Sequence, residues 1–204
     1  MNNLRECCLC SQIAGRREND LISQLLDEAN YVRRIGIESE NFVAIPSLGP
    51  LVPGHTLVCP KSHLKNLAVL PNTVHQEFDA FRKRVSVLLV SLFRAPIHFF
   101  EHGSAPQEGS RVLCTVEHAH LHLVPTSAVV LDQLVGRQPW RILASGLSGL
   151  QKERPSGEYL YYESPEGERF LATGEAFESQ YMRRIFAAAL GAKDWNWRDN
   201  PQPR

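Results

Sequence analysis

The run His118-Ala-His-Leu-His-Leu-Val-Pro125 puts three imidazoles into five residues. Neutral imidazole is a good nucleophile near neutral pH, because its reference pKa is about 6.5. Its attack on phosphorus gives a phospho-histidine type intermediate, which divides one hard displacement into two easier ones. Flanking histidines can hold phosphate oxygens or protonate a leaving group. Ala119, Leu121 and Leu123 alternate with the histidines, so Thr115 to Val124 is read as a strand with all three imidazoles on one face.

Two other chemistries compete with the nucleophile. Same-face neighbours on a strand sit about 6.6 Å apart, and the outer pair about 13 Å apart. One zinc with bonds of about 2 Å cannot collect all three side chains, although two of them could share a metal. The third reading is a solvated polar strand face, an uncommon use of histidine. A second reactive cluster lies at Cys7-Cys8-Leu9-Cys10, three of the five cysteines. In a reducing compartment such spacing favours metal binding or redox work over a structural disulfide. Cys59 and Cys114 read as small core hydrophobes.

The elements that must position these residues follow from pattern. Tyr31 to Ile37 and Asn41 to Pro46 read as strands joined by the turn Glu38-Ser-Glu40. A short amphipathic piece lies around Leu21 to Leu26. Pro46, Gly49, Pro50, Pro53 and Gly54 punctuate a loop before the β-prone run Thr56-Leu-Val-Cys59. Phe78, Phe81, Val85, Leu88, Leu89 and Leu92 recur at helical spacing, which predicts a helix over roughly Val74 to Phe93, broken by Pro96. Ile97 to Glu101 reads as a strand, and Gly103 to Gly109 as a loop. Leu131 to Leu150 is ambiguous. Tyr159 to Ala172 reads as a hairpin turning at Pro165-Glu-Gly167, and Phe177 to Leu190 as a helix ended by Gly191. Strands, then a helix, then strands indicate an α+β fold with an antiparallel sheet.

Composition narrows the partners. Twenty-two acidic and 22 basic residues cancel, so no bulk charge grips a nucleic acid polymer or an anionic membrane. No stretch approaches the roughly 20 apolar residues of a membrane span. The N-terminus lacks a signal-peptide core, and a cytoplasmic protein is expected.

Three blocks carry a family resemblance. His118-Ala-His-Leu-His-Leu-Val124 is similar to the signature of the histidine triad (HIT) superfamily, His-φ-His-φ-His-φ-φ with φ apolar. Pro53-Gly-His-Thr-Leu-Val-Cys-Pro-Lys-Ser-His63 resembles that family's upstream block. Cys7-x-x-Cys10 followed by Ile13-Ala-Gly15 resembles the opening of many bacterial members. The blocks occur in the family's order and cover residues 7 to about 125. Gln180-Tyr-Met-Arg-Arg184 and Trp195-Asn-Trp-Arg198 are similar to segments of longer bacterial members. The resemblance implies a zinc-bearing, bacterial-type hydrolase with a C-terminal extension. Its expected core is an antiparallel sheet of about five strands with a long helix packed on it. The implied boundaries are a triad domain over 1–126 and a hairpin/helix extension over 127–204.

The resemblance also implies roles. His120 is the nucleophile, attacking the α-phosphorus of a nucleotide. His122 contacts phosphate and stands where transferase members carry glutamine. His55 completes the catalytic set. Thr115 falls where relatives place a hydroxyl near the phosphate or leaving group. Cys7, Cys10, His63 and His118 are the ligands of a structural zinc, a sound tetrahedral set; neither a redox cofactor nor a catalytic metal is implied. Ser47 occupies the place of an aspartate that binds ribose in many relatives, and it brings no charge. Glu101-His102-Gly103 replaces the usual amide before the triad, and a carboxylate there would repel phosphate. His102 reads as a loop histidine, with phosphate contact as the alternative. Lys61 is read between a phosphate contact and a surface charge. Arg183, Arg184 and Arg198 suit a polyphosphate, and the tryptophans a base; the alternative is a solvated helix face and a tail sealed to the core.

The implied activity is nucleotide hydrolysis, on a nucleoside phosphoramidate or a phosphoanhydride, with a purine nucleotide or nucleotide conjugate as ligand. Alternatives are a dinucleoside polyphosphate hydrolase, a nucleotidyltransferase, or a non-enzymatic nucleotide sensor. Family members often form homodimers across the sheet edge, where the extension could stand in the way.

Overall fold

The computed structural model describes residues 7–16, 35–104, 116–134, 138–153, 155–174 and 177–201. Its centre is one eight-stranded sheet in the order β1-β2-β3-β5-β4-β7-β8-β6. The strands are β1 (Ile37–Glu38), β2 (Phe42–Pro46), β3 (Thr56–Pro60), β4 (Ile97–Gly103), β5 (Leu121–Pro125), β6 (Arg141–Ile142), β7 (Glu158–Glu163) and β8 (Arg169–Gly174). Every neighbouring pair is antiparallel. The helices are α1 (Cys8–Ala14), α2 (His75–Phe93), α3 (Leu131–Leu134), α4 (Leu147–Glu153) and α5 (Tyr181–Leu190). None of the described helices is long and apolar enough to cross a membrane.

The α+β architecture, the antiparallel sheet and the long helix agree with the sequence reading. The sheet has eight strands rather than about five. The surplus comes from residues beyond 127: the hairpin β7–β8 hydrogen-bonds along β4, from Phe99↔Glu163 to Gly103↔Tyr159. The hairpin turns where the sequence placed it, with Gly167 at φ +89.

The two faces of the sheet have different coverings. On one, Phe78, Phe81, Val85 and Leu89 of α2 pack on Phe42, Ala44, Val58, Leu121 and Leu123. These residues recur every three or four positions, so one stripe of the helix meets the sheet. Arg94, in the left-handed conformation at φ 55, ends α2 two residues before Pro96. On the other face, Leu9 and Ile13 of α1 pack on Val43, Ile45 and Cys59. Met182, Ile185 and Phe186 of α5 pack on Phe100, Val124, Leu160 and Tyr162. The space between α1 and α5 is left as a cleft. The helix expected from Phe177 begins at Tyr181, because Phe177 donates its backbone N–H to Glu158 Oε2 at 3.1 Å and the chain turns there. Gly191, at φ 63, ends it in a Schellman motif, with Ala192 N–H donating to Ala187 O at 2.8 Å.

Three further expectations change. The strand expected over Tyr31 to Ile37 is seen only as β1, and 31–34 lie outside the described residues, as do Leu21 to Leu26. The segment around Gly103 is the end of β4 rather than a loop. The triad strand begins at Leu121, not Thr115. Ala119 N–H donates to Leu64 O at 2.6 Å, a partner outside the sheet, so the ladder with β3 ends at Val58↔Leu121. Period-two alternation therefore does not extend to His118.

Candidate functional site

His118 is drawn away from the other two histidines. Its Nδ1 lies 3.6 Å from Cys7 Sγ and 3.4 Å from Cys10 Sγ, while His63 Nδ1 lies 3.4 Å from Cys10 Sγ. All four ligand atoms fall within 4.8 Å of one another. A tetrahedral zinc with bonds of about 2.3 Å to sulfur and about 2.05 Å to nitrogen has S···N edges of about 3.6 Å. The four residues thus form a cluster that fits such an ion. Local structure explains the convergence: Cys7 caps α1, so Cys7 and Cys10 lie one helical turn apart. His118 Nε2–H donates to Pro60 O at 2.8 Å, which leaves Nδ1 as the bare nitrogen facing the sulfurs. The Cys7 thiol is pulled down to about 3, first by its hydrogen bond with Cys8 and then by His118, against burial that raises it.

His120, His122 and His55 form a second group. His120 Nδ1–H donates to the His118 carbonyl at 2.6 Å, which leaves Nε2 as the lone-pair nitrogen. Burial pulls its pKa down to about 4, so the ring is neutral at pH 7. Leu51 N–H donates to His55 Nδ1 at 3.2 Å, so the His55 proton sits on Nε2. That Nε2–H donates to His122 Nδ1 at 2.8 Å, so the His122 proton sits on its own Nε2. The chain of bonds makes His122 Nε2 a donor. Burial, and then the neighbouring Arg183 and His120, hold His55 well below its ordinary range. Burial followed by His120 does the same for His122. Phe100 stacks on the His122 ring at 4.0 Å and 11°, which fixes the plane of that ring.

His120 and His122 open onto the cleft between α1 and α5. Its wall includes Ser47, Leu48, Phe100, His102, Arg183 and Trp197. Ser47 is buried, and its hydroxyl donates to Leu48 O at 3.2 Å. Arg183 comes from α5 and is buried too. It donates from Nε to Trp195 O at 2.8 Å and from Nη2 to Gly49 O. Burial lowers its pKa to about 10, so it keeps its charge at neutral pH. Arg184 instead pairs with Glu178 at 2.8 Å and lies over Trp195, half-exposed. Arg198 lies over the Trp197 ring, and Lys61 pairs with Glu38 at 3.0 Å; neither is among the residues lining the cleft. Thr115 and Cys114 lie outside the described residues.

Glu101 turns away from the cleft. On β4, Phe100 and His102 share the cleft face, while Glu101 points to the α2 face. There it accepts from Leu67 N–H at 2.9 Å and bonds the Tyr159 hydroxyl. Burial pushes its pKa from the usual 4.5 up to about 8, so it is largely neutral at pH 7. The repulsion of phosphate expected from the sequence is therefore absent. Phe100 and Glu158 entered no sequence-based role. Phe100 was readable, since it shares a strand face with His102. Glu158 was not, because nothing in the sequence pairs β7 with β4.

Residues 30–129 match the HIT domain family model. Over 82 residues the chain is 32% identical to a bis(5′-adenosyl)-triphosphatase of Dictyostelium discoideum, covering 40% of this chain and 52% of that protein. The chain thus spans about half the length of this curated relative. A solved HIT family protein from Bacillus anthracis is 21% identical at a TM-score of 0.44, covering 59% of this chain and 73% of the other. A Zn-bound histidine triad family protein from Mycobacterium smegmatis is 27% identical at a TM-score of 0.42, covering 60% and 76%. The HIT domain match spans the triad, His55 and His63, so residues 30–129 of the chain are a histidine triad (HIT) domain.

Proposed function

We propose that this protein is a nucleotide hydrolase that attacks the α-phosphorus of a nucleoside phosphoramidate or phosphoanhydride through a nucleotidyl-His120 intermediate. The observation that carries this reading is the state of the His120 ring: neutral, with Nδ1–H committed to the His118 carbonyl and Nε2 left bare beside the cleft. Attack places the nucleotidyl group on Nε2. His122 Nε2–H, aligned by His55, donates to a phosphate oxygen and gathers the charge that develops there. Arg183 adds a fixed positive charge from the cleft wall. Water then attacks the intermediate and releases the nucleoside monophosphate. Histidine at position 122 supports hydrolysis over transfer, as the family pattern implies.

The ligand is a purine nucleotide or nucleotide conjugate, with Ser47 toward the ribose and Trp197 as an aromatic wall for the base. Residues 1–126 carry the catalysis, and 127–204 supply one side of the cleft wall, with Arg183 and Trp197. Cys7, Cys10, His63 and His118 hold a structural zinc, which pins α1 to the start of the triad. Such an ion supplies folding energy and orientation rather than a reaction step.

A second reading has one observation in its favour. The curated relative is named for cleaving a bis(5′-adenosyl) triphosphate, so a dinucleoside polyphosphate is the alternative substrate for the same covalent step.

Release of AMP from adenosine 5′-phosphoramidate and from diadenosine triphosphate tests both readings. Wild type turns over at least one of them, and His120→Ala lowers kcat/KM by about 10³-fold or more. Tight binding of AMP with no turnover of either substrate would leave a nucleotide sensor in place of the hydrolase.

A further inference from the structure

A third histidine borders the cleft beside His120 and His122. His102 lies two residues beyond Phe100 on the same face of β4, is buried, and lines the cleft with His120 and His122. Its Nε2 stands 3.5 Å from Glu158 Oε2, and Glu158 is itself only 4% exposed. Glu158 opens β7, the first extension strand paired with β4, and the register sets His102 opposite Leu160. A buried carboxylate is costly unless donors or a counter-charge meet it. Here Phe177 N–H supplies one donor at 3.1 Å and the His102 imidazole another. The edge-on Phe177 ring, 5.9 Å from His102, closes the far side of the pair.

Among the described residues, those named so far leave one component of the displacement unassigned. The nucleophile is an unprotonated nitrogen, and the His122 Nε2–H is directed to phosphate. An amine or alkoxide leaving group still needs a proton.

We propose that His102, oriented by Glu158, is the general acid that protonates the leaving group and then the general base that activates water. This assignment rests on the nucleotidyl-His120 reading. As the Nε2–P bond forms, the bond from phosphorus to the leaving atom breaks. Its electron pair stays on that atom, and His102, entering the step as the imidazolium paired with Glu158, gives it the Nδ1 proton. His102 Nε2–H remains on Glu158 throughout. In the second step a water oxygen attacks phosphorus, its proton passes to His102 Nδ1, and the P–Nε2 pair returns to His120. Both rings end as they began. His102 is thus a catalytic residue, and Glu158 a positioning residue supplied by the extension.

The test compares two AMP derivatives with opposite needs: an alkylamine phosphoramidate, whose leaving group must be protonated, and the 4-nitrophenyl ester, whose leaving group need not be. His102→Asn is expected to lose on the order of 10²–10³-fold in kcat/KM on the amidate and less than about 5-fold on the ester. Glu158→Gln shows the same asymmetry with a smaller loss. Equal losses on both substrates, or no loss on the amidate, overturn the proposal. Thermal melting confirms that each variant is folded. Should neither fold, wild type alone decides. A shallow dependence of kcat/KM on leaving-group pKa across a series of AMP aryl and alkyl esters supports an acid, and a steep one contradicts it. If wild type cleaves none of these compounds, the hydrolase reading fails rather than the role of His102.

Discussion

Single residues in this cleft owe their properties to where their protons are placed. The carbonyl of His118 takes the His120 proton, and the Leu51 amide determines which nitrogen of His55, and hence of His122, carries one. The triad pattern made the histidines visible in the sequence, but not this ordering, which depends on backbone partners far along the chain. Glu101 shows the converse. The sequence reading found it hard to reconcile with a bound phosphate, and its burial on the α2 face resolves the conflict. Its protonation has a measurable sign. Folding raises its pKa from 4.5 to about 8, so the folded state holds a proton that the unfolded state gives up in that window. Stability contributed by the neutral form is full below about 4.5 and is lost as pH rises through about 8. Glu101→Gln removes this dependence. Its Tm is expected to match wild type near pH 4.5, to exceed it by a margin that grows up to about pH 8, and to keep that margin above. A constant Tm difference across pH would contradict a neutral Glu101.

Elements bring together what the sequence leaves far apart. The helix α2, the strand β3 and the hairpin β7–β8 were readable from periodicity and turn residues. The early end of the triad strand was not, because it depends on the Ala119 bond to Leu64. That break sends His118 to the cysteines, so one short run serves two sites. Chelation of a bound zinc is expected to lower Tm markedly and to release α1 from the sheet. Metal analysis of purified protein should find about one zinc per chain, and a metal-free protein with an unchanged melt would remove the zinc from the account. The C-terminal tail is seated against the β2–β3 loop at Gly49. There φ is +54, and an added Cβ would stand 2.6 Å from the Trp197 Cα. Gly49→Ala is expected to cost about 1–3 kcal/mol. It should also raise KM for the nucleotide more than it lowers kcat, as Trp197 withdraws from the cleft. Unchanged KM would mean that the tail does not meet the ligand.

The molecule as a whole turns a triad core into a broader sheet. Zero net charge argued against a bulk electrostatic grip on a polyanion, and family resemblance covered the core, yet neither revealed that the extension continues the sheet through β4. That pairing has no local signature: Tyr159 lies across Gly103, and only the absence of a side chain there allows the ring to approach. The extension covers the β4 edge and the apolar patch of Phe100 and Val124, and it supplies Arg183, Trp197 and Glu158 to the cleft and its surround. Truncation after residue 126 is expected to expose that edge and patch, and to yield self-association in light scattering. A monodisperse, folded monomer would show that the two parts are separable.

The central claim is covalent. Wild type mixed with an adenylyl donor and quenched in acid within milliseconds to seconds should carry one adenylyl group. Peptide mapping should place that group on His120, and His120→Ala should carry none. An adenylyl group mapped to another residue, or turnover that persists in His120→Ala, would contradict the account.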